Sequence, residues 1–536
     1  MAINSTLPIN PTSEESMDVS KMEKWLWKAA CSIRGAQDAP KFKDFILPLI
    51  FFKRLSDVFD DEFTKQIEEF GSEEIAHEFV NADHEDALKC GRKPIFRFYI
   101  PQKYSWGEIR KHPADETLGE FITEAMREVA KLNPDLKGIM DIKDFNEKQS
   151  GQRILDDERL ASLIEVISEH RLGLNNTEPD IMGRAYEYLL RKFAEGQGQS
   201  AGEFFTPKEV GWLMAKIVNP EPYSTVYDPT CGSGGLLVKS KLVFEENHPD
   251  DKAQAPKLYG QELTHTTFAI AKMNMFLYDI SDAFMTIGDT FKKPGFATES
   301  AGLSKFNYVV ANPMWNQKNY DDDFYENDGY DRFIYGNPPS DTADWGWIQH
   351  ISASLKDNGR AAVVLDTGAV SRGSGSKNTD REREIRKKFI ENDWIEGVIY
   401  LPDNLFYNTT AAGIILLLNK NKSEKRKEQI LLINASDYFI KEKPKNILTD
   451  EGINKIVDVY NNWKNIDKFC QIISTLEAIK ADYNIVPSQF VNLVEKSTHR
   501  RISKIIDDIQ NIQKEREQAD FVLNEILNKL TLTELS

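Results

Sequence analysis

The sequence predicts an α/β protein in which a helical N-terminal part precedes a doubly wound sheet. From Thr225 onward, apolar strand-like runs alternate with helical patterns, which is typical of a parallel sheet covered by helices on both faces. Before that point, residues 22–33, 41–70 and 118–132 carry apolar residues at helical spacing. A glycine-rich turn at residues 227–236 follows the first apolar strand and leads into a helix. Together these observations predict helices first and the sheet second.

The N-terminal part is predicted to be mainly helical. Helices are expected at residues 22–33, 41–70, 118–132, 157–170 and 180–193. Pro48 lies inside the second helix and is expected to kink it. Residues 90–106 interrupt the helical pattern with short extended pieces. We assign residues 1–165 to a helical domain without chemistry of its own, which serves for docking or as a clamp.

The sheet is predicted from strands and helices that alternate over two hundred residues. Strands are expected at residues 225–228, 257–262, 283–288, 306–311, 361–366, 394–401, 412–419 and 429–434. Helices are expected up to residue 246 and at residues 264–278, 343–355 and 380–391. No helical stretch separates the last two strands, so we expect them to form an antiparallel hairpin at the sheet edge. We assign residues 166–480 to this domain.

Residues 481–536 are predicted to form a polar helical tail with one apolar stripe. The stripe consists of Ile502, Ile505, Ile506, Ile509, Ile512, Val522, Ile526, Leu527 and Leu530. The apolar side chains of such a stripe must be buried against another surface. Two alternatives are open at this point, because that surface can belong to a partner protein or to the chain itself.

Composition and charge exclude several classes of protein. The net charge of -18 and the pI near 5.1 argue against a surface that binds phosphate over its whole extent, so a partner is expected to bring the chain to nucleic acid. The four cysteines lie far apart, so we expect no zinc cluster, no disulfide framework and a reducing compartment. Residues 45–52 and 411–418 are the longest apolar runs, and both are too short to cross a bilayer. We therefore expect a soluble cytoplasmic protein with no membrane contact.

The glycine-rich turn from Asp228 to Leu236 is the first candidate site. A strand that ends in such a turn and opens a helix brings backbone N–H groups and a helix N-terminus up to a ligand. Turns of this type bind dinucleotides, phosphates or S-adenosylmethionine, and some are only tight turns. A second glycine-rich segment, residues 196–202, leads into Glu203-Phe204-Phe205-Thr206-Pro207-Lys208. Thr206 can cap the helix that follows, and such a cap is compatible with a ligand contact.

The second candidate site is Asn312-Pro313-Met314-Trp315, which directly follows the buried strand at 306–311. A similar segment, Asn337-Pro338-Pro339-Ser340, has no strand before it and ends in a serine, which cannot stack on a base. Structural context therefore favours Asn312 over Asn337. Asp321-Asp322-Asp323 is expected to be a solvated loop and not a metal site.

The order of these motifs at successive strand ends resembles that of the DNA amino-methyltransferases in which the cofactor motif precedes the catalytic one. The sequence is more closely similar to the modification subunit of type I restriction-modification systems. The resemblance extends over nearly the whole chain and includes Leu26-Trp27, residues 51–57, Ala343-Asp344-Trp345, Gly359-Arg360-Ala361 and Leu401-Pro402. It implies a Rossmann-like methyltransferase domain that transfers a methyl group from S-adenosylmethionine to the N6 amino group of adenine. It also implies four partners: DNA, a specificity subunit, a second modification subunit and a restriction subunit.

The resemblance assigns a cofactor site to residues near four strand ends. These residues are Glu203, Phe204, Phe205, Thr206, Pro207, Lys208, Asp228, Gly232, Ser233, Gly234, Gly235, Leu236, Glu262, Asp289 and Thr290. The glycine turn and Thr206 would hold the amino-acid end of the cofactor, and Glu262 would accept both ribose hydroxyls. Asp289 and Thr290 fit the adenine edge, with an ordinary Asp turn as the alternative. Glu262 lies 34 residues after Asp228, which is longer than the usual ~20-residue spacing of a dinucleotide site and makes NAD the weaker fit.

The resemblance assigns catalysis to Asn312, Pro313 and Trp315. An exocyclic amino group is a poor nucleophile because its lone pair is delocalised into the ring. Asn312 Oδ1 and the Pro313 carbonyl can accept its two hydrogens, and Trp315 can stack on a base rotated out of the duplex. Neither a strong base nor a metal is required, because positioning drives the transfer. The same amino chemistry serves cytosine, so N4-cytosine methylation stays open as an alternative. Met314 stands where the family usually has a second proline, so a silent scaffold also stays open.

Overall fold

The structure is a computed structural model that describes most of the chain. The described residues are 19–33, 43–92, 94–96, 98–138, 140, 143–149, 152–173, 185, 188–189, 206–278, 280, 282–297, 302–318, 320–406, 409–443, 445–491 and 502–533. Most of the helix predicted at 180–193 lies outside them, as do the segment 196–202 and Glu203, Phe204 and Phe205. The chain divides into two compact units, Met1–Val491 and Asn492–Ser536. The domain limits at residues 165 and 480 stay predictions.

Within the described residues, six helices form the N-terminal part of the first unit. They are α1 Val19–Ser32, α2 Lys43–Phe70, α3 Glu73–Cys90, α4 Trp106–Lys111, α5 Leu118–Leu132 and α6 Asp157–Ile167. The predicted helices at 22–33, 41–70, 118–132 and 157–170 are confirmed within a few residues, and α2 runs through Pro48. Helix α3 was not predicted from the sequence, because its buried side includes the polar Asp83 and His84, which interrupt the apolar pattern of a helix.

Buried charges fasten the end of this helical part to α2. Lys53 pairs with Asp57, and the Asp57 carboxylate also accepts the backbone N–H of Leu172 at 2.6 Å. Arg54 donates to the backbone carbonyls of Leu172 and Gly173. The segment at 172–173 is therefore tied to the core by hydrogen bonds to charged groups, which are stronger than neutral ones.

One nine-stranded sheet forms the centre of the first unit. Its strands are β3 Thr225–Asp228, β4 Lys257–Glu262, β5 Phe284–Ile287, β6 Phe306–Ala311, β7 Leu355–Asp366, β8 Ile395–Tyr400, β9 Gly413–Asn419, β10 Gln429–Asn434 and β13 Cys470–Ser474. Their order across the sheet is β13-β10-β8-β9-β7-β6-β3-β4-β5. Four further short strands form two separate pairs, β1 Lys148–Gln149 with β2 Gln152–Arg153 and β11 Phe439–Ile440 with β12 Ile447–Leu448.

The predicted hairpin between the strands at 412–419 and 429–434 is wrong, although the sheet edge is antiparallel. Strand β9 instead lies between β7 and β8, antiparallel to both. Strand β10 pairs in parallel with β8, and it is β13 that pairs antiparallel with β10 at the edge. All seven residues of β9 are buried, which suits a central strand and not one side of an edge hairpin.

Helices cover both faces of the sheet, as the alternation of strands and helices predicts. They are α7 Lys208–Val218, α8 Gly235–Asn247, α9 His265–Leu277, α10 Asp322–Glu326, α11 Asp344–Ala353, α12 Arg381–Glu391, α13 Asp450–Asn462, α14 Thr475–Lys480 and α15 Pro487–Phe490. Alternate strand residues belong to different cores: Val226 packs on one face, and its neighbour Tyr227 packs on the other. Ile270 and Met273 of α9 also join the core of the N-terminal helices.

The chain order reverses at β3, because β4 lies on one side of it and β6 on the other. Ligands of open α/β sheets bind in the crevice that opens at the carboxyl ends of the strands at such a switch point. Asp228 is the last residue of β3, and Asn312 directly follows β6. The topology therefore brings the two candidate motifs of the sequence to the same crevice.

The second unit is a single described helix, α16 Ile502–Thr533. Within the predicted stripe, the described side chains are Ile506, Ile509, Ile512, Val522, Ile526 and Leu527, and each is between 48% and 64% exposed. The side chains of Ile502, Ile505 and Leu530 lie outside the described residues. Among the described residues no helix is both long and apolar enough to cross a membrane.

Candidate active site

The glycine-rich turn has the backbone geometry that only glycine adopts without strain. Gly232 and Gly234 have φ angles of 55° and 78°, in the left-handed region. A Cβ at Gly234 would also lie 2.7 Å from Met275 Cε of helix α9. Gly234 is the N-cap of α8, and among the described residues no side chain caps that helix. The turn therefore leaves backbone donors open at a helix N-terminus.

Strand β4 and helix α9 hold this turn in place. Cys231 N donates to the Gln261 carbonyl at 2.9 Å, and Gly232 N donates to the Glu262 carboxylate at 3.0 Å. Asn274 Nδ2 donates to the Ser233 carbonyl at 2.8 Å. Glu262 Oε1 also accepts the backbone N–H of Thr264 at 2.9 Å. Glu262, the last residue of β4, therefore helps to shape the turn.

The acidic group at the end of β3 is fully buried. Asp228 is 1% exposed, and its Oδ1 accepts the backbone N–H of Thr230 at 3.0 Å. Burial, with the nearby charge of Glu262, raises the pKa of Asp228 to about 8. Burial, followed by the charge of Asp228, also raises the pKa of the Cys231 thiol. A protonated thiol is a weak nucleophile, so a nucleophilic role of Cys231 is disfavoured.

An open cleft of about 430 Å³ lies at this end of the sheet. It is lined by Thr206, Asp228, Thr230, Cys231, Gly232, Ser233, Gly235, Leu236, Lys239 and Asn312. Seven of these residues are predicted site residues, drawn from the segment before α7, the glycine turn and the end of β6. Pro207, Lys208, Gly234, Glu262, Asp289, Thr290, Pro313 and Trp315 are predicted site residues that do not line it.

Asn312 is held at both ends of its amide. Its Nδ2 donates to Thr206 Oγ1 at 3.0 Å, and its Oδ1 accepts the indole N–H of Trp315 at 3.3 Å. Asn312 is only 7% exposed. These two contacts fix which way the amide points, with the oxygen toward Trp315.

Trp315 is buried and not an open stacking surface in this structure. It is 7% exposed, and its ring meets Phe406 edge-on, with centroids 4.7 Å apart and an interplanar angle of 64°. A Cβ at Gly413 would lie 2.8 Å from the Trp315 ring, so the first residue of β9 must be small. Met314, in contrast, is 36% exposed.

The Thr206 hydroxyl does not cap helix α7. The N-cap residue is Pro207, no side chain caps the helix, and α7 begins at Lys208. The predicted cap is therefore wrong, because the Thr206 hydroxyl accepts from Asn312 at the cleft.

Asp289 and Thr290 form an ordinary Asp turn, which was the alternative to a contact with the adenine edge of the cofactor. Asp289 Oδ1 accepts the N–H groups of Phe291 and Lys292 at 2.9 and 3.2 Å, and its Oδ2 accepts the Tyr320 hydroxyl at 2.6 Å. Thr290 Oγ1 donates to the Pro229 carbonyl at 2.7 Å, which joins this turn to the glycine turn. The adenine contact stays a prediction.

Two family sequence models match the chain. The N-6 DNA methylase model matches residues 177–499, and the HsdM N-terminal domain model matches residues 22–167. The chain is 33% identical to the type I restriction enzyme MjaVIII methylase subunit of Methanocaldococcus jannaschii, over 95% of this chain and 84% of that protein. It is also 33% identical to the HindI methylase subunit of Haemophilus influenzae, over 71% of this chain and 84% of that protein.

The chain belongs to the methylase subunits of type I restriction enzymes. A crystal structure of the type I restriction-modification methyltransferase subunit from Streptococcus thermophilus is similar, with a TM-score of 0.72 and 27% identity over 88% of this chain and 98% of that chain. The chain is therefore an adenine-specific DNA methyltransferase, the modification subunit of a type I restriction-modification system. The methyltransferase family implies dependence on S-adenosylmethionine. The predicted family, fold class and reaction are confirmed.

Sequence reasoning missed one residue that lines the cleft of this methylase subunit, Lys239, and gave no separate role to Thr230 and Cys231 within the predicted turn. Lys239 is the informative omission. It stands four residues after Gly235, so it lies on the same face of α8, one turn further along. A lysine directly after the apolar run 236–238 was the available signal.

Proposed function

We propose that S-adenosylmethionine binds in the cleft beside the glycine turn and that Asn312 directs its methyl group to the N6 atom of adenine. One observation supports the proposal most directly. The Asn312 amide donates a hydrogen bond to the Thr206 hydroxyl, and both residues line the cleft beside the glycine turn. The cofactor and the amino group that it methylates must lie side by side for in-line transfer. A cleft lined by both motifs meets that requirement.

The cofactor's amino-acid end would lie on the open backbone donors of residues 232–235 and on the Thr206 hydroxyl. Its ribose would lie on Glu262, whose two oxygens offer about four lone-pair positions. The Gly232 and Thr264 N–H groups and the Thr264 hydroxyl occupy three of these positions and hold the carboxylate in place. One ribose hydroxyl would take the remaining position on Oε2, and the other would replace the Thr264 hydroxyl on Oε1. Asp289 and Thr290 would take the adenine edge.

The target amino group would donate its hydrogens to Asn312 Oδ1 and to the Pro313 carbonyl. An amide oxygen accepts two hydrogen bonds, so Oδ1 can keep the Trp315 indole contact and still accept from adenine. Withdrawal of both hydrogens favours a tetrahedral nitrogen that attacks the methyl group. Trp315 would orient the Asn312 oxygen through its indole N–H. Its ring is 7% exposed and would have to be uncovered before it could stack on the flipped base.

The reaction is tested by incubating the assembled complex with DNA and methyl-labelled cofactor and digesting the product to nucleosides. We expect the label in N6-methyladenosine only. Label in N4-methylcytosine would contradict the proposed base. Cofactor cross-linking without any methyl transfer, with all partners present, would indicate a silent scaffold.

We also propose that α16 docks the chain on a specificity subunit, within an assembly that contains a second modification subunit, a restriction subunit and DNA. The exposure of Ile509, Ile512 and Val522 on this helix supports a docking role, because an apolar helix face is a common recognition element. Deleting the residues after Arg500 should abolish association with the specificity subunit while cofactor binding stays intact. Size-exclusion chromatography checks this, and an equally stable complex would contradict it.

A further inference from the structure

Lys239 is a buried cation in the proposed cofactor cleft. It is only 8% exposed and lines the cleft together with Gly235, Ser233 and Thr206. A lysine is rarely buried to this extent unless a partner offsets the cost of removing its charge from water. Among the residues that the structure describes, none forms a hydrogen bond or an ion pair with its amino group. The neighbouring Lys241 differs, because it pairs with Glu245 at 3.1 Å.

The stem of Lys239 is positioned by a glycine on the adjacent helix. A Cβ at Gly211 of α7 would lie 2.8 Å from Lys239 Cδ, so only glycine leaves room for this stem. At the other end, a Cβ at Gly235 would lie 3.5 Å from Lys239 Nζ and 3.8 Å from Ser233 Oγ. The amino group and the serine hydroxyl therefore converge on the space beside the first residue of α8.

That space is suited to an anion. The first N–H groups of α8 have no side-chain cap, and a helix N-terminus favours negative charge. Asp228 is the only acidic residue among those lining the described cleft. Burial raises the pKa of Asp228 to about 8, so this group is mostly protonated at neutral pH and provides little countercharge.

We propose that Lys239 binds the carboxylate of the cofactor's amino-acid moiety, together with the α8 N-terminus. This inference rests on the proposed cofactor site and adds a charged anchor to it. The carboxylate is the single anionic group of S-adenosylmethionine, and it belongs to the end of the cofactor already assigned to the glycine turn. An ammonium–carboxylate contact at a partly closed helix N-terminus combines two favourable electrostatic interactions.

The test compares two ligands that differ only in the carboxylate: S-adenosylmethionine and decarboxylated S-adenosylmethionine. Affinities are measured by calorimetry on the full chain without DNA, with wild type and Lys239→Met. We expect Lys239→Met to weaken S-adenosylmethionine binding by about 10- to 100-fold, the loss typical of a hydrogen bond to a charged group. Binding of the decarboxylated ligand should stay unchanged, because it has no group for Lys239 to bind.

Two further variants serve as controls. Lys241→Met removes a lysine from the same helix that pairs outside the cleft, and it should leave both affinities as in wild type. Gly211→Ala should displace the Lys239 stem and reduce the preference for the carboxylate without removing the charge. Alanine is a better helix former than glycine, so loss of helix stability would not account for that reduction.

The outcomes separate this inference from the cofactor site itself. If Lys239→Met weakens both ligands equally, the lysine has a structural role and the inference is overturned. Unchanged affinity for S-adenosylmethionine would also overturn it, and would leave DNA phosphate as the group to test for Lys239. If wild type binds neither ligand, the proposed cofactor site is wrong.

Discussion

Two asparagine-proline segments lie within thirty residues of each other, and their settings differ. Asn312 follows the buried strand β6 at the switch point of the sheet and is 7% exposed. Asn337 follows Gly336, which has a φ of 131°, and lies in a loop between α10 and α11. The second segment has both prolines of the family motif, whereas the first has Met314 in place of one. Position at a strand end therefore matters more than the match to the tetrapeptide.

The two amides also differ in how they are held. Asn312 makes defined contacts at both amide atoms, to Thr206 and to Trp315. Asn337 Nδ2 makes only long contacts of 3.4 and 3.5 Å to Asp322 and Glu326. A group that stabilises a transition state must be oriented in advance. The comparison therefore favours Asn312 as the residue that acts on the amino group.

Replacing Asn312 by alanine should have the largest effect. Loss of one acceptor aimed at a transition state typically costs about 10²- to 10³-fold in rate, and we expect at least that in single-turnover methylation by the assembled complex. Cofactor affinity should be retained, because Asn312 acts on the amino group. Asn337→Ala is the matched control and should methylate nearly as fast as wild type. A steep loss for Asn337→Ala with little loss for Asn312→Ala would reverse the assignment.

Replacing Glu262 by alanine tests whether the cofactor shares a cleft with Asn312. The loss of two ribose contacts should weaken S-adenosylmethionine binding by about 1.5 to 3 kcal/mol, the range for hydrogen bonds to a charged group. The Gly232 N–H also loses its acceptor, so the turn should become less stable in thermal unfolding. The exposed Glu246→Ala controls for the loss of an acid from the same part of the fold. Unchanged calorimetric affinity in folded Glu262→Ala would remove the ribose assignment.

Replacing Trp315 tests stacking next to Asn312. Base stacking on an aromatic ring is worth about 1 to 3 kcal/mol, so Trp315→Ala should slow methylation within that range. Trp315→Phe retains a ring against Phe406 and should therefore keep much of the activity. The loss that remains would come from the missing indole N–H, which donates to Asn312. Equal losses for Trp315→Ala and Trp315→Phe in the same single-turnover assay would show that the N–H, and not the ring face, is the important group.

The buried setting of the Asn312 cleft predicts a pH effect on stability. The pKa of Asp228 is about 8 in the folded chain and its ordinary value is 3.8, so between these values the folded state retains a proton that the unfolded state has lost. The free energy of unfolding should therefore fall as the pH rises through this window. Asp228→Asn lacks this titration and should gain stability relative to wild type from pH 5 to pH 8. Denaturant unfolding at several pH values checks this, with Asp250→Asn as a control, and a constant difference would contradict it.

Local patterns predicted the strands and the glycine turn well. Strands β4 and β6 and helix α5 match their predicted limits, because each is a strongly patterned run with clear ends. Strand β7 begins at Leu355 and not at residue 361, because Leu355 pairs with Phe306 of β6 ahead of a register irregularity, and regular pairing resumes at Arg360. The position of β9 depends on its pairing with β7 and β8, which no local pattern specifies.

The side-chain contacts of the site were less predictable than its backbone. The sequence indicated that Asn312 and Thr206 belong to one site, but the hydrogen bond between them joins residues that are 106 positions apart. Burial of Trp315 against Phe406 and Gly413 likewise depends on distant segments. Lys239 was missed because its significance comes from Gly211, on a different helix.

The central claim is that the glycine turn and Asn312 form one site, and a crystal structure of the full chain with S-adenosylhomocysteine tests it most directly. We expect the ligand to bind in the cleft, with its ribose hydroxyls on Glu262 and its sulfur facing Asn312. A ligand bound elsewhere, or with its sulfur nearer to Asn337 than to Asn312, would contradict it.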